Sequence, residues 1–310
     1  MNYGMPYKGS KNVIAPQLVE QMPAGGTFYD LFCGGCAVTH AAILSGKFER
    51  FVINDNFSVA VKGFVRAISG GFADEQRWIG RQAFHRLKDT DPYAALCFSF
   101  AYNCYSYMYN EKVEDIKHAF FDAVMSGDLS YYEANLFGAG DMAEMHAVMD
   151  PIPLTERVHR RSVLSKFLRR KLDFLDNGSV RAWSDCPRNL LGLERLQALG
   201  TLGKSRAVML TGYTTDYQDV VIEGPGVIYC DIPYLGQDPY RNKPFDYVRF
   251  YEWCEKQTLP VFISSVEMPV RRLAEVFRVG KQNNMYPGGK TAYKERLFVP
   301  RSQLEKTHGN

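Results

Sequence analysis

Asp231, followed by Ile232, Pro233 and Tyr234, closes a run of β-forming residues (Val227, Ile228, Tyr229, Cys230) with no alternation of apolar and polar positions. Such a run predicts a strand buried on both faces, the pattern of a parallel sheet. Open α/β sheets bind ligands at the carboxyl ends of their strands, so a carboxylate at that point reads as an acceptor facing a ligand. A lone Asp after a strand also caps turns. The residues upstream decide between the two.

Thr27 to Phe32 predicts a first strand, and Cys33-Gly34-Gly35-Cys36-Ala37-Val38 a tight turn into a helix through Ala41, Ala42 and Leu44. Strand, glycine turn and helix form the first βα unit of a nucleotide-binding fold. The turn is not GxGxxG, which argues against a pyrophosphate-bearing dinucleotide. A second strand, Arg50 to Asn54, ends at Asp55, within reach of the roughly 20-residue spacing at which a carboxylate binds ribose hydroxyls in such folds. A pocket that expects a ribose but no pyrophosphate suits S-adenosylmethionine. Ahead of it, Tyr7-Lys8-Gly9-Ser10-Lys11 precedes a helical pattern (Val13, Ile14, Leu18, Val19) and reads as an anion or ligand loop.

These elements need a large core, and 310 residues with 46% hydrophobic composition supply one, with room for a second, smaller domain. The net charge of +3 permits a polyanionic partner without demanding one. No apolar run reaches membrane-spanning length and the start lacks a signal peptide's apolar core, so the expectation is a cytoplasmic protein with no membrane association. Seven irregularly spaced cysteines predict reduced thiols. Cys33 and Cys36 have CxxC spacing, but no second pair follows, and no metal is called for.

Between the second strand and the Asp231 strand the character changes. Phe57, Ala60, Val61, Phe64, Val65 and Ile68 predict a helix stopped by Gly70-Gly71. From about Asp74 to Gly203 the pattern is helical: a helix capped by Asp74 carrying Trp78, Ile79 and Leu87, one from Asp91-Pro92 through Phe100, one through Val113 to Val124, and one from Thr155 to Leu175, stopped at Asn177-Gly178. Within it, Tyr102 to Asn110 is dense in aromatics and amides, with Lys112 beside it. It suits stacking on bases and bonding to their edges, or packing between domains, equally well. Arg157, Arg160, Arg161, Lys166, Arg169, Arg170 and Lys171 are almost uncompensated by acids and do not share one helical face; phosphate contact by a subset would relieve their repulsion. After Lys204, strands are predicted at 207–210, 260–265 and 296–299, with helices carrying Phe245 to Trp253 and Leu273 to Phe277. Gly289-Lys290-Thr291 mimics the end of a P-loop, but Asn284 stands where its first glycine belongs.

Taken in order, Tyr7 to Lys11, Asp30-Leu31-Phe32-Cys33-Gly34-Gly35, Asp55, the helical insertion and Asp231-Ile232-Pro233-Tyr234 resemble the Dam-type (class α) DNA adenine-N6 methyltransferases over nearly the whole chain. Phe245-Asp246-Tyr247 and Ile263-Ser264-Ser265 also look like this family, especially its phage-borne members. The resemblance implies a Rossmann-like, S-adenosylmethionine-dependent methyltransferase sheet (residues 1–73 and 204–310) with a helical target-recognition insertion (74–203). It implies catalytic roles for Asp231, Ile232, Pro233 and Tyr234, and cofactor contacts from Tyr7, Lys11, Asp30, Phe32, Gly34, Gly35 and Asp55. Lys8, Asn103, Tyr105, Lys112, Arg157, Arg160 and Arg161 are the expected contacts to double-stranded DNA bearing a flipped adenine, with no obligate protein partner. The resemblance leaves open whether the setting is a restriction-modification system, a phage or a lone regulator. Two departures stand out: Ile232 replaces the first proline of the family's four-residue motif, and Cys36 stands where its cofactor loop often has glycine. The rivals are methylation of an RNA or protein amide nitrogen by the same motif, and a regulator that binds DNA or cofactor without turnover.

Overall fold

The computed structural model describes residues 3–172, 186–201, 208–234, 244–269, 271–283 and 291–304. The chain divides into two compact units: Met1–Met5, Gly9–Ile68 and Ala198–Asn310 make one, and Pro6–Lys8 and Ser69–Gln197 the other. Among the described residues no helix is long and apolar enough to cross a membrane.

The first unit is built on β1 (Thr27–Asp30), β2 (Arg50–Asn54), β3 (Met209–Tyr213), β4 (Gly226–Cys230), β5 (Val261–Ser265), β6 (Leu273–Asn283) and β7 (Thr291–Pro300). They form one sheet in the order β3-β2-β1-β4-β5-β7-β6. The first five are mutually parallel, and β7 runs antiparallel to both of its neighbours. Without β7 the order is the 3-2-1-4-5-6 of a Rossmann sheet, in which ligands bind at the strand ends where the order reverses, here β1 and β4. The missing alternation in the strands has its cause in the two faces. Phe28, Val227 and Tyr229 pack against α1 (Ala15–Glu20) and α2 (Ala37–Ser45) on one side. Tyr29, Ile228 and Cys230 pack on the other with Phe250, Tyr251 and Cys254 of the helix Tyr247–Lys256. After β2 in the chain comes α3 (Ser58–Ile68), burying Val59, Ala60, Val61, Phe64 and Ala67 as its 3.6-residue period requires.

Leu273 to Phe277, expected as a helix, lie instead in β6. A register shift between Glu275 and Phe277 leaves Val276 as an extra residue opposite β7. The bulge breaks the two-residue period, so Leu273, Ala274, Val276 and Phe277 take on helix-like spacing while remaining extended. Ala207, the predicted loop at 236–240, the helix stop at Asn177-Gly178 and Asn284 to Lys290 of the P-loop mimic lie outside the described residues; Thr291 opens β7.

The second unit contains α4 (Arg81–Leu87), α5 (Pro92–Cys97), α6 (Glu111–Met125), α7 (Ser130–Asn135), α8 (Ala139–Met149), α9 (Arg157–Lys171) and α10 (Cys186–Glu194). The Asp91 carboxylate accepts from Tyr93 N at 2.9 Å, with Pro92 in the first turn, and Asn110 caps α6 through Lys112 N at 3.0 Å. Trp78 and Ile79 precede α4, whose N-cap is Gly80 rather than Asp74. Trp78 is drawn out of helical register because it stacks on Tyr109 and His118, at ring separations of 5.4 and 4.5 Å. Between α5 and α6 the chain turns back at a bridge of Ser99 to Tyr107, with Ala101, Tyr102 and Cys104 all at positive φ.

Candidate active site

β4 delivers Asp231 to the carboxyl edge of the sheet with its side chain 23% exposed. Lys11, 220 residues away in sequence, donates from Nζ to Oδ1 at 2.5 Å and to Oδ2 at 2.6 Å. Ser264 Oγ, near the end of β5, donates to Oδ1 at 3.1 Å and pairs with the Tyr229 hydroxyl at 2.7 Å. Each carboxylate oxygen accepts about two hydrogen bonds. Oδ1 is therefore filled by Lys11 and Ser264, while Oδ2, among the described residues, keeps one acceptor position open.

A second carboxylate lies behind the first. Glu295, on β7 and fully buried, accepts from the Tyr234 hydroxyl at 3.1 and 2.9 Å, and its Oε1 lies 3.8 Å from Lys11 Nζ. The Lys11 ammonium also stands 5.2 Å from the centre of the Tyr234 ring. Burial alone would push the lysine down, but Asp231 and Glu295 outweigh it and hold its pKa well above the ordinary range. Burial pushes the Tyr234 hydroxyl up, against the opposing pull of Lys11. The hydroxyl therefore stays protonated and donates. Pro233 O accepts from Tyr247 at 3.0 Å, and the Ile232 side chain is buried among Ile228, Phe250 and Ile263. The loop that carries the tetrad is thus anchored on both sides of Pro233.

The neighbouring strand ends hold a different kind of group. Asp30, at the end of β1, is buried; its Oδ2 accepts from Thr39 Oγ1 at 2.6 Å, while Oδ1 has no partner among the described residues. Burial pushes its pKa up to about 7, with the Thr39 bond opposing and the charges of Asp231 and Asp55 adding to the rise. Asp55, after β2, accepts from Gly34 N and Phe57 N, each at 2.9 Å, and so fixes the glycine loop. Cys36 enters α2 in a left-handed conformation (φ 55°), one that the glycine common at this point in the resembling family would adopt without strain. Over the loop lies the N-terminal segment: Met5 N donates to Gly35 O at 2.7 Å, and Gly4, at φ +72°, leaves no room for a Cβ, which would fall 2.4 Å from Gly35 O. Phe32 packs with Tyr217, Phe245 and Phe250 at ring separations of 5.3 to 5.8 Å. Burial pushes the Cys33 and Cys36 thiols up.

The expected site residues are thus distributed unevenly. Asp231, Ile232, Pro233, Tyr234 and Lys11 come together, as do Asp30, Gly34, Gly35 and Asp55, with Phe32 in the adjoining aromatic cluster. Lys11, expected to contribute to the cofactor and the active site, engages the Asp231 carboxylate. Tyr7 and Lys8 group with the helical unit, where Lys8 N bonds to Tyr102 O at 3.0 Å. There Tyr105 and Lys112 are exposed, and the Asn103 side-chain oxygen accepts from Tyr105 N and Ser106 N at 2.9 Å. Arg157 is paired with Glu194 at 2.7 Å, and Arg161 is half-buried. Arg160 is a correction: it is 4% exposed, and its guanidinium donates to the carbonyls of Ala123, Met149 and Ile152, which turns it inward, away from any phosphate. Glu295 and Thr39 do not stand out in the sequence. A signal for Glu295 exists, because it shares the two-residue period of buried Leu297 and Val299 and so points with them into the core.

A profile of the D12 class N6 adenine-specific DNA methyltransferases matches residues 7–173, which spans the N-terminal loop, the glycine turn, Asp55 and most of the helical unit, and ends before Asp231. Among solved structures, the rRNA methyltransferase aviRa from Streptomyces viridochromogenes is similar at 14% identity and a TM-score of 0.32, over 96% of this chain and 85% of that one, a likeness too distant to bear on fold or activity. A sequence comparison with curated proteins gives no match.

Proposed function

The chain belongs to the D12 class N6 adenine-specific DNA methyltransferase family, and from that premise we propose which of its residues perform the transfer. The enzyme moves a methyl group from S-adenosylmethionine to the N6 amine of adenine in DNA. The donor supplies that methyl as an electrophile on a sulfonium centre. The strand ends fit such a molecule: Asp30 Oδ1 is a buried acceptor in want of a cation, the Phe32-Gly34-Gly35 loop suits its methionine end, and the Asp55 carboxylate, beside that loop, has the chemistry to accept from ribose hydroxyls.

The adenine amine is a poor nucleophile because its lone pair is delocalised into the ring. The open acceptor on Asp231 Oδ2 takes one amine N–H and the Ile232 carbonyl takes the other, which localises the pair on nitrogen. The pair forms the new N–C bond as the methyl carbon's bond to the sulfonium sulfur breaks, its electrons staying on sulfur as the neutral thioether S-adenosylhomocysteine, and the surplus proton leaves the now acidic nitrogen along its bond to Asp231. Positioning and fixed charge supply the acceleration. The base is flipped out of the duplex to reach this edge, and Tyr234 stacks on it while Pro233 stiffens the loop. The helical unit is the target-recognition domain. Tyr105 stacks, Asn103 offers its amide N–H groups to a base edge, and Lys8, Lys112, Arg157 and Arg161 meet phosphates. The likeness of Phe245-Asp246-Tyr247 to phage-borne enzymes supports a phage or restriction-modification setting, in the host cytoplasm and without an obligate protein partner.

The observation that carries this reading is the acceptor position that stays open, among the described residues, on a carboxylate otherwise occupied by Lys11 and Ser264. It is tested by nucleoside analysis of treated DNA together with the fluorescence of 2-aminopurine placed at the target position. N6-methyldeoxyadenosine should form, and fluorescence should rise on binding and fall in Tyr234→Ala. A 2-aminopurine signal that is the same with and without protein would remove base flipping.

A further inference from the structure

A buried carboxylate that touches neither the amine acceptor nor the glycine loop still requires an explanation, because burying a charge is costly unless it is paired and hydrogen-bonded. Glu295 is fully buried on the inserted antiparallel strand β7 and meets both of the groups that define the acceptor site: the Tyr234 hydroxyl at 2.9 and 3.1 Å and the Lys11 ammonium at 3.8 Å. We propose that Glu295 is a positioning residue for methyl transfer, which ties the stacking ring of Tyr234 and the carboxylate of Asp231 into one unit through Lys11.

The argument begins with the protons of Lys11. An ammonium has three donors. Two are spent on the two oxygens of Asp231, and the third is left facing Glu295. Lys11 bonds both Asp231 oxygens at 2.5 and 2.6 Å, and the charge of Glu295, 3.8 Å away, holds the ammonium from its other side, so that it cannot swing about Asp231 and cover the acceptor position that the amine needs. The same carboxylate fixes Tyr234, whose ring can slide or tilt about its side-chain torsions unless the hydroxyl end is held. One residue thus fixes the in-plane acceptor and the stacking face together, and a misplacement of order 1 Å at such a site costs about a hundredfold in rate. Glu295 acts through Lys11 and Tyr234 and has no reacting atom of its own to touch.

This inference rests on the assignment of Asp231 and Tyr234 as the groups that receive adenine, and the experiment separates the two. Wild type, Glu295→Gln and Tyr234→Phe, with the double variant, are assayed for transfer of a labelled methyl from S-adenosylmethionine to unmethylated genomic DNA, and cofactor affinity is measured by equilibrium dialysis. The glutamine is nearly isosteric and folding is checked by circular dichroism; Glu295→Asp, which keeps the charge, serves as the second variant. The expected result is that kcat falls by about tenfold to a hundredfold in Glu295→Gln, that cofactor affinity stays within about twofold of wild type, that Glu295→Asp recovers part of the loss, and that the Gln substitution costs less on the Tyr234→Phe background than on wild type. An unchanged kcat, a loss of cofactor affinity as large as the loss of rate, failure of both variants to fold, or full additivity with Tyr234→Phe would overturn the inference. Failure of the wild type itself to label DNA would instead strike the assignment beneath it.

Discussion

The charged groups of the two units are used in opposite ways. At the strand ends of the first unit, Lys11, Asp231 and Glu295 are drawn from sequence positions far apart, Lys11 and Glu295 buried and Asp231 half-buried between them, so each fixes the others. On α9 of the helical unit the cations lie within a few residues of one another and find partners nearby: Arg170 and Lys171 pair with Glu144, Lys171 also with Asp141, and Arg160 is turned inward onto three backbone carbonyls. Shielded charges held by fixed partners preorganise chemistry. Exposed pairs are worth little in stability and are free to be exchanged for phosphate. A count of basic residues therefore says less about binding than the partners each one already has.

The comparison breaks most visibly at Lys11. Replacing it by Met should lower kcat by about a hundredfold or more and leave cofactor affinity nearly intact, measured by steady-state transfer and equilibrium dialysis; a variant defective chiefly in cofactor binding would return Lys11 to the role expected from sequence. Next in size is Arg160→Ala, which takes the guanidinium from three carbonyls, of which Met149 O keeps its bond from Ile152 N, and should destabilise the fold by about 3 kcal/mol in denaturant unfolding. The same change should leave the salt dependence of DNA binding where it was. Lys112→Ala should do the reverse, with stability unchanged and the slope of log K against log salt shallower by about one. If Arg160→Ala flattened that slope instead, the division between inward and outward cations would fail.

A pH-dependent effect concerns Asp30. Its folded pKa of about 7 lies above the ordinary aspartate value of 3.8, so between those values the folded chain holds a proton that the unfolded chain has released. Stability must then fall as pH rises through that window. A rise of this size corresponds to roughly 4 kcal/mol at most. Asp30→Asn should remove this part of the slope, so that wild type and variant converge near pH 4 and separate towards pH 7 in thermal melts, the variant being the more stable. Parallel curves would show that Asp30 is ionised throughout.

Much of this is legible in the sequence where a strand ends in a turn. The Asp30 glycine loop, Asp55 and Asp231 announce themselves because a run of apolar residues stops at a carboxylate or a glycine, and β2 and β5 occupy the segments expected for them. Pairing is not legible. Nothing local links Lys11 to Asp231 across 220 residues, and Glu295, flanked by Lys294 and Arg296, looks like part of a solvated strand until its neighbours Leu297 and Val299 are seen to be core. β6 is hidden by its bulge. Helix α8 leaves little trace, because three buried methionines (Met142, Met145, Met149) are its whole apolar face. The start of α4 is obscured because Trp78 obeys the stacking of Tyr109 and His118 rather than a helical period.

The central proposal is that Asp231 is the acceptor that receives the adenine amine. The direct test is single-turnover transfer of a labelled methyl to DNA by wild type and by Asp231→Ala, with cofactor affinity measured in parallel. The account predicts a fall in rate of about a thousandfold or more, about 4 kcal/mol of barrier, with the cofactor still bound. Transfer by the variant within about tenfold of wild type, or about 1.4 kcal/mol, would contradict it.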